Sequence, residues 1–337
     1  MNLKRIKMMR RFIIFVLPAI LSVCACSYDD LALDSPSKVM KVVACMPGND
    51  SDDSKTRIGI TENPKTLDIT PAWWANDKIH TYVTLDIDRQ WPEAKVISLG
   101  EQDIDNISSD GKKCQFNSGI EDDTWKKVVL DYNGQYQNKL LYGTCGRMSW
   151  RYDNGIYMIA DMFRTTIENV KVPVWFEVKF TDVIPEAKCQ YVGTFELLHI
   201  SNQTDKKIVF KWDGYDAVEK WYYQYAGFDP HKNIVSETDT QNGTDTPLVD
   251  AIIAIPAGEE RTLVAWYIPN GNKMKDVALA ATIDGKSIKS VNKKSSDIDI
   301  QVGHAYHWYA NWDGSNLYID NFGENGLSFG EVVNEDI

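Results

Sequence analysis

The sequence is poor in the residues that build most catalytic and metal sites. It has five histidines and six cysteines in 337 residues, with no CxxC pair and no Cys/His spacing suited to zinc. GxSxG, HExxH, a phosphate-binding glycine loop and an EF-hand ligand series are all missing, and 49–53 and 105–111 are acidic turns without the required spacing. His304 and His307 stand three apart on an expected strand, so they point to opposite faces and cannot share a metal without a bulge. Carboxylates are plentiful, but no pair stands out as a general acid and base. The sequence therefore assigns no catalytic residue, no metal site and no cofactor.

Positive charge is also scarce. The formal charge is −12, and five of the basic residues, Lys4, Arg5, Lys7, Arg10 and Arg11, fall in the first 26 positions, which hold no acidic residue. The rest of the chain carries 31 basic against 48 acidic residues. Such a surface repels the phosphates of nucleic acids.

No apolar run is long enough to span a bilayer. The best, 12–25, is broken by Pro18 and Ser22 and follows the basic cluster, as in a bacterial export signal. It ends in Val23-Cys24-Ala25-Cys26, which resembles a lipoprotein box: the small Ala25 admits a peptidase, and Cys26 supplies the thiol that is acylated. Residues 1–25 are read as signal peptide and Cys26 as the first mature residue. Acyl chains, at about 0.8 kcal/mol per buried CH₂, would hold the protein at a membrane without a transmembrane helix. Ser27-Tyr28-Asp29-Asp30 resembles the signal that sends lipoproteins of the Bacteroidota to the outer face of the outer membrane; a solvated acidic linker is the other reading. Export permits disulfides, and Cys45, Cys114, Cys145 and Cys189 allow three pairings. Four thiols are too few to be the scaffold, which favours buried free cysteine.

What is abundant is short β-rich segments. Of the chain, 43% is apolar and 11% aromatic. Alternating or β-branched runs recur at 38–46, 57–60, 78–86, 95–99, 113–116, 127–131, 172–180, 190–200, 207–212, 221–228, 250–255, 261–268, 277–283 and 305–312. Asn133-Gly134, Asp213-Gly214, Pro256-Ala257-Gly258, Asn270-Gly271, Asp284-Gly285 and Asp313-Gly314 supply turns. Nothing sustains a period of 3.6. The pattern implies an all-β chain of two tandem antiparallel β-sandwiches. Residues 26–37 read as a tether, 38–168 as the first sandwich, 169–320 as the second and 321–337 as a C-terminal tail. Residues 161–169 read as a polar connection; a division near 188 is the alternative.

Four features together resemble the fimbrillin family of Bacteroidota. They are the box at Cys26, Thr56-Arg57 after a first strand and polar loop, Trp73-Trp74-Ala75-Asn76-Asp77-Lys78-Ile79, and Val302-Gly303-His304-Ala305-Tyr306 followed by Trp312-Asp313-Gly314. The resemblance implies two transthyretin-like sandwiches and a role as pilus shaft, tip or anchor subunit. It also implies removal of the first strand by an arginine-directed protease, and filling of the groove by a strand of the next subunit. Arg57 is then the processing residue; the alternative is an ordinary surface arginine. Val42, Val43 and Ala44 lie on a strand apolar on both sides, which belongs between neighbours. In the tail, Leu327, Phe329 and Val333 share one face at period two and form a possible donor strand. A terminal strand pairing inside its own domain, or a disordered acidic end, is the alternative. Partners would be other fimbrial subunits and the membrane, and the location the cell surface or the fimbria.

A rival reading rests on aromatics. Trp221, Tyr223 and Tyr225 share a face, as do Tyr306, Trp308 and Trp312. A face left exposed could stack on sugars, with Trp221, Trp308 and Trp312 as contacts, as in an outer-membrane glycan-binding lipoprotein of a polysaccharide uptake system.

Overall fold

The computed structural model describes residues 41–46, 60–62, 69–85, 95–120, 139–146, 148–151, 157–160, 163–179, 186–223, 226–229, 234–237, 251–296 and 300–322. Among these residues there is one 3-10 turn, Ile167–Asn169, and no α-helix; the rest is strand and connection. The chain is all-β and mostly antiparallel, as its alternation implies.

The largest sheet has eight strands in the order β12 (Glu186–Lys188), β1 (Lys41–Cys45), β6 (Lys113–Asn117), β5 (Lys95–Ile107), β4 (Lys78–Leu85), β7 (Lys139–Cys145), β11 (Val174–Lys179) and β13 (Gln190–Tyr191). Only Cys189 separates β12 from β13, so one short segment joins the two ends of the sheet and closes it on itself. β5 turns the corner opposite: its first part pairs with β4, and Ile104, Asn106 and Ile107 pair with β6 across a bulge. Val42, Ala44, Cys114, Phe116, Val83, Leu141, Val174 and Phe176 fill the interior.

A second sheet runs β10 (Phe163–Thr166), β19 (Glu260–Tyr267), β14 (Thr194–Asn202), β22 (Ala305–Trp312) and β23 (Leu317–Phe322). A third runs β18 (Ile252–Ile255), β15 (Ile208–Asp216), β20 (Ala278–Ile283) and β21 (Lys286–Lys289). One face of the second sheet packs on the third through Leu198, Ile200, Leu263, Ala265, Trp308, Phe210, Trp212 and Leu279. Its other face joins the first core through Phe195, Leu197, Val264, Trp266 and Ala305, with the Phe163 and Trp266 rings stacked 6.1 Å apart. The second sheet is therefore a middle layer, and β14 is buried on both faces along nearly its whole length, with Glu196 and His199 among its buried side chains. Two smaller sheets complete the fold: β17 (Ile234–Glu237), β16 (Ala226–Asp229), β9 (Tyr157–Ala160) and β8 (Met148–Arg151), and the pair β2 (Ile60–Glu62) and β3 (Ile69–Pro71).

Strand pairing runs across position 168, where the sequence places the division. Residues 163–166, expected as polar connection, form β10 and pair with β19. β11, expected to open the second unit, instead pairs with β7 and β13 and helps to close the first. The chain thus lends β10 to the second sheet, returns to the first until Tyr191, and from Thr194 on supplies the second and third sheets, apart from β16 and β17, which join β9 and β8 in a smaller sheet. Arg164 and Thr165 are buried, so their polarity hides a packed strand. The run 190–200 is likewise two strands of different sheets, interrupted at Val192-Gly193. Asp213-Gly214 makes no hairpin turn: it lies within β15 at a bulge, with Gly214 at φ +118°. Asp284-Gly285 and Asp313-Gly314 do turn, joining β20 to β21 and β22 to β23.

Candidate strand-exchange site

β1 lies in the closed sheet, antiparallel to β6 and parallel to β12. Val42, Val43, Ala44, Cys45 and Met46 are all buried, so neither face of the strand meets water. Val42, Ala44 and Met46 enter the core; Val43 and Cys45 point the other way. Val42 stands opposite Phe116, and Ala44 lies between Cys114 and Ala187. On the outward side Cys45 stands between Lys113 and Lys188, and its thiol donates to Glu186 Oε1 at 3.2 Å. Lys41 pairs with Asp105 at 3.5 Å where the strand begins. Two backbone bonds of 2.8 Å tie its far end, Met46 N–H to Lys112 O and Cys189 N–H to Cys45 O. A short N-terminal strand thus supplies the ladder between two neighbours, and its removal would leave both their edges open.

Cys45, Cys114, Cys145 and Cys189 are buried, and none of them is in a disulfide. Burial pushes the thiols of Cys114, Cys145 and Cys189 upward, and mutual repulsion adds to it at Cys114 and Cys189. They are inert core residues, as the sequence favours.

The Trp73–Ile79 motif builds the start of β4. Asp77 Oδ2 accepts the Trp74 N–H at 2.6 Å, Asp77 N–H donates to Trp74 O at 3.0 Å, and Trp73 is buried in the first core. Burial raises the Asp77 carboxyl to about 6, against the hydrogen bond from Trp74 and the charge of Lys171.

Of the other expected site residues, Cys26, Arg57, Leu327, Phe329 and Val333 lie outside the described residues. The expected sugar contacts do not form a platform: Trp221 and Trp308 are fully buried, and Trp312 is 8% exposed. All three sit between the second and third sheets. Trp221 lies in a bend rather than a strand, with one bridge at Tyr222, and packs edge-on against Tyr222 and Tyr267. Much of the aromatic content lies in this core, where Trp212, Tyr215, Trp221, Tyr267 and Trp308 pack ring against ring.

The sequence did not single out what lies among those rings. Glu196 of β14 is fully buried; its Oε2 accepts from the indole N–H of Trp308 and from the Tyr215 hydroxyl at 3.3 Å. Burial raises this carboxyl to about 8, opposed by both hydrogen bonds. On the opposite face of the same two strands, His199 Nε2 and His307 Nδ1 meet at 2.8 Å, and His199 Nδ1 lies 3.0 Å from Thr262 Oγ1. Burial, then the neighbouring His307, lowers His199 to about 4. No local spacing signals either cluster, since each joins strands more than a hundred residues apart. Among the described residues no group of three or more His, Cys, Asp or Glu is placed to hold a metal.

No protein-family model matches the sequence, and no curated protein matches it. Similar solved structures include a candidate cell adhesion protein from Bacteroides ovatus, at 13% identity and TM-score 0.46, covering 86% of this chain and 97% of that one. A fimbrial protein from Bacteroides vulgatus has 10% identity and TM-score 0.34, covering 74% and 93%. The fimbrial anchor protein Mfa2 from Porphyromonas gingivalis has 10% identity and TM-score 0.31, covering 85% and 97%. The identities and TM-scores are low, and the fold rests on the strand pairing itself.

Proposed function

We propose that this chain is a cell-surface fimbrial subunit, structural or adhesive, that joins its neighbours by β-strand exchange at the position of β1. The observation that carries the reading is the setting of β1: the first described strand, five residues long, laddered on both edges and buried on both faces. Such a strand is held by pairing and apolar burial, the interactions that an equivalent strand from another chain can replace. Arg57 follows it after a segment rich in Pro, Gly, Asn, Asp and Ser, so one cut there would separate β1 from the rest of the fold. Cys26 in its lipobox would hold the unprocessed protein at the outer membrane.

The test is the N-terminal residue of the chain in isolated surface filaments. Ile58 supports a processed subunit that has given up β1. An acylated Cys26 on every copy would overturn exchange at this position and leave an anchor or a lipoprotein of another kind.

A further inference from the structure

We infer that β18, at the edge of the third sheet, is a docking edge for a second, uncut copy of this chain, paired two-fold symmetrically with Ile253 opposite Ile253 of that copy. The contact needs no cleavage and no movement of β1, so it stands apart from the strand-exchange reading.

The second and third sheets end, among the described residues, in β10, β23, β18 and β21. An edge strand offers unpaired N–H and C=O groups to another chain, and a charged side chain on it opposes that pairing. Three of the four edges carry one: Arg164 on β10, Asp320 on β23, and Lys286 and Lys289 on β21. Beyond β21 the chain also crosses to the second sheet, where Val291 N–H donates to Leu317 O at 2.9 Å, and that side of the sandwich is closed. β18 differs on every count. It reads Ile-Ile-Ala-Ile without a charge and pairs with β15 along one side. Ile252 is 64% exposed, Ala254 is exposed beside the equally outward Val209, and Ile253 is only half-buried against the core.

The segment is complementary to itself, which selects a second copy as the occupant. In an antiparallel pair, residues opposite each other share a face of the sheet, so a symmetric register centres on one residue. Centred on Ile253, the pairing sets Ile252 opposite Ala254 on the outer face and Ala251 opposite Ile255 on the inner face. Large side chains meet small ones on both faces, and the two half-buried Ile253 side chains cover each other. Centring on Ile252 loses that last contact. Centring on Ala254 sets Ile252 opposite Pro256, which has no N–H to give. The same symmetric pairing at β21 would bring lysines together, which opposes it.

The experiment measures self-association of the uncut full chain by sedimentation over a concentration series. Ile252→Lys and Ala254→Glu change exposed positions, and urea midpoints equal to the parent's show that both variants fold. The parent dimerises, and each variant alone dimerises about tenfold more weakly or worse. An equimolar mixture of I252K and A254E associates more tightly than either alone, because the register sets the two new charges opposite each other. Ser287→Lys on β21 leaves the parent dimer unchanged. A parent that is monomeric throughout, or a dimer that neither I252K nor A254E weakens, overturns docking at β18. Failure of the mixture to recover overturns the Ile253 register. A dimer weakened as much by S287K assigns the contact to the other edge and overturns the proposal.

Discussion

The guanidinium of Arg164 occupies the space that a side chain at Gly214 would need. Arg164 belongs to β10, the strand that the segment between the two halves lends to the second sheet, and Gly214 sits at the bulge of β15 in the facing sheet. The bulge, the positive φ and the buried arginine are one arrangement. It sets the lent strand against the third sheet.

Gly214→Ala is therefore expected to destabilise the fold by about 1–3 kcal/mol, from the clash and the strained φ together. Gly258, also at positive φ but with open space around it, is the control and should cost less when changed to Ala. Urea midpoints of the two variants check this; equal losses would mean that the Arg164 contact contributes nothing.

The two raised carboxyls set a pH dependence of definite sign. Glu196 at about 8 and Asp77 at about 6 bind protons more tightly in the folded chain than in the unfolded one. Their contribution to stability is fully present below the unfolded values and is lost as pH rises through 6 for Asp77 and through 8 for Glu196. Each unit of difference is worth about 1.4 kcal/mol. Glu196→Gln keeps an acceptor for Trp308 and Tyr215 without a charge, so it should be more stable than the parent at pH 9 and close to it at pH 5. Denaturant titrations at the two pH values read the difference.

The four buried thiols should escape alkylation in the native protein and react once it is unfolded. Mass mapping after iodoacetamide, with and without guanidinium, assigns the label to Cys45, Cys114, Cys145 and Cys189 separately. Rapid native labelling of Cys114 or Cys189 would show that β1 and its neighbours do not seal the interior.

Much of this fold was legible because its strands obey period two and its hairpins carry Asp-Gly turns. β4, β20 and β22 fall within a residue or so of where the alternation puts them. β1 was legible too, since Val42, Val43 and Ala44 are apolar on both sides and only a doubly flanked strand can use that. What stayed hidden was long-range. β10 carries Arg164 and two threonines and reads as loop until Gly214 and β19 are beside it. β11 has the pattern of an opening strand, and nothing local reveals that it closes the sheet behind it. Trp221 and Trp308 illustrate the same limit: alternation says that they share faces with other aromatics, but which face is buried depends on a sheet contributed from elsewhere in the chain.

Hydrogen exchange of the β1 peptide measures the central claim most directly. The full chain is compared before and after cleavage by an arginine-specific protease, with size exclusion run on the same samples. The account predicts that Val42, Val43 and Ala44 are protected in the intact monomer. After cleavage the 38–46 segment should leave, oligomers should appear, and β6 and β12 should regain protection in them from a strand of another copy. A cleaved chain that stays monomeric with 38–46 still protected in place would contradict it.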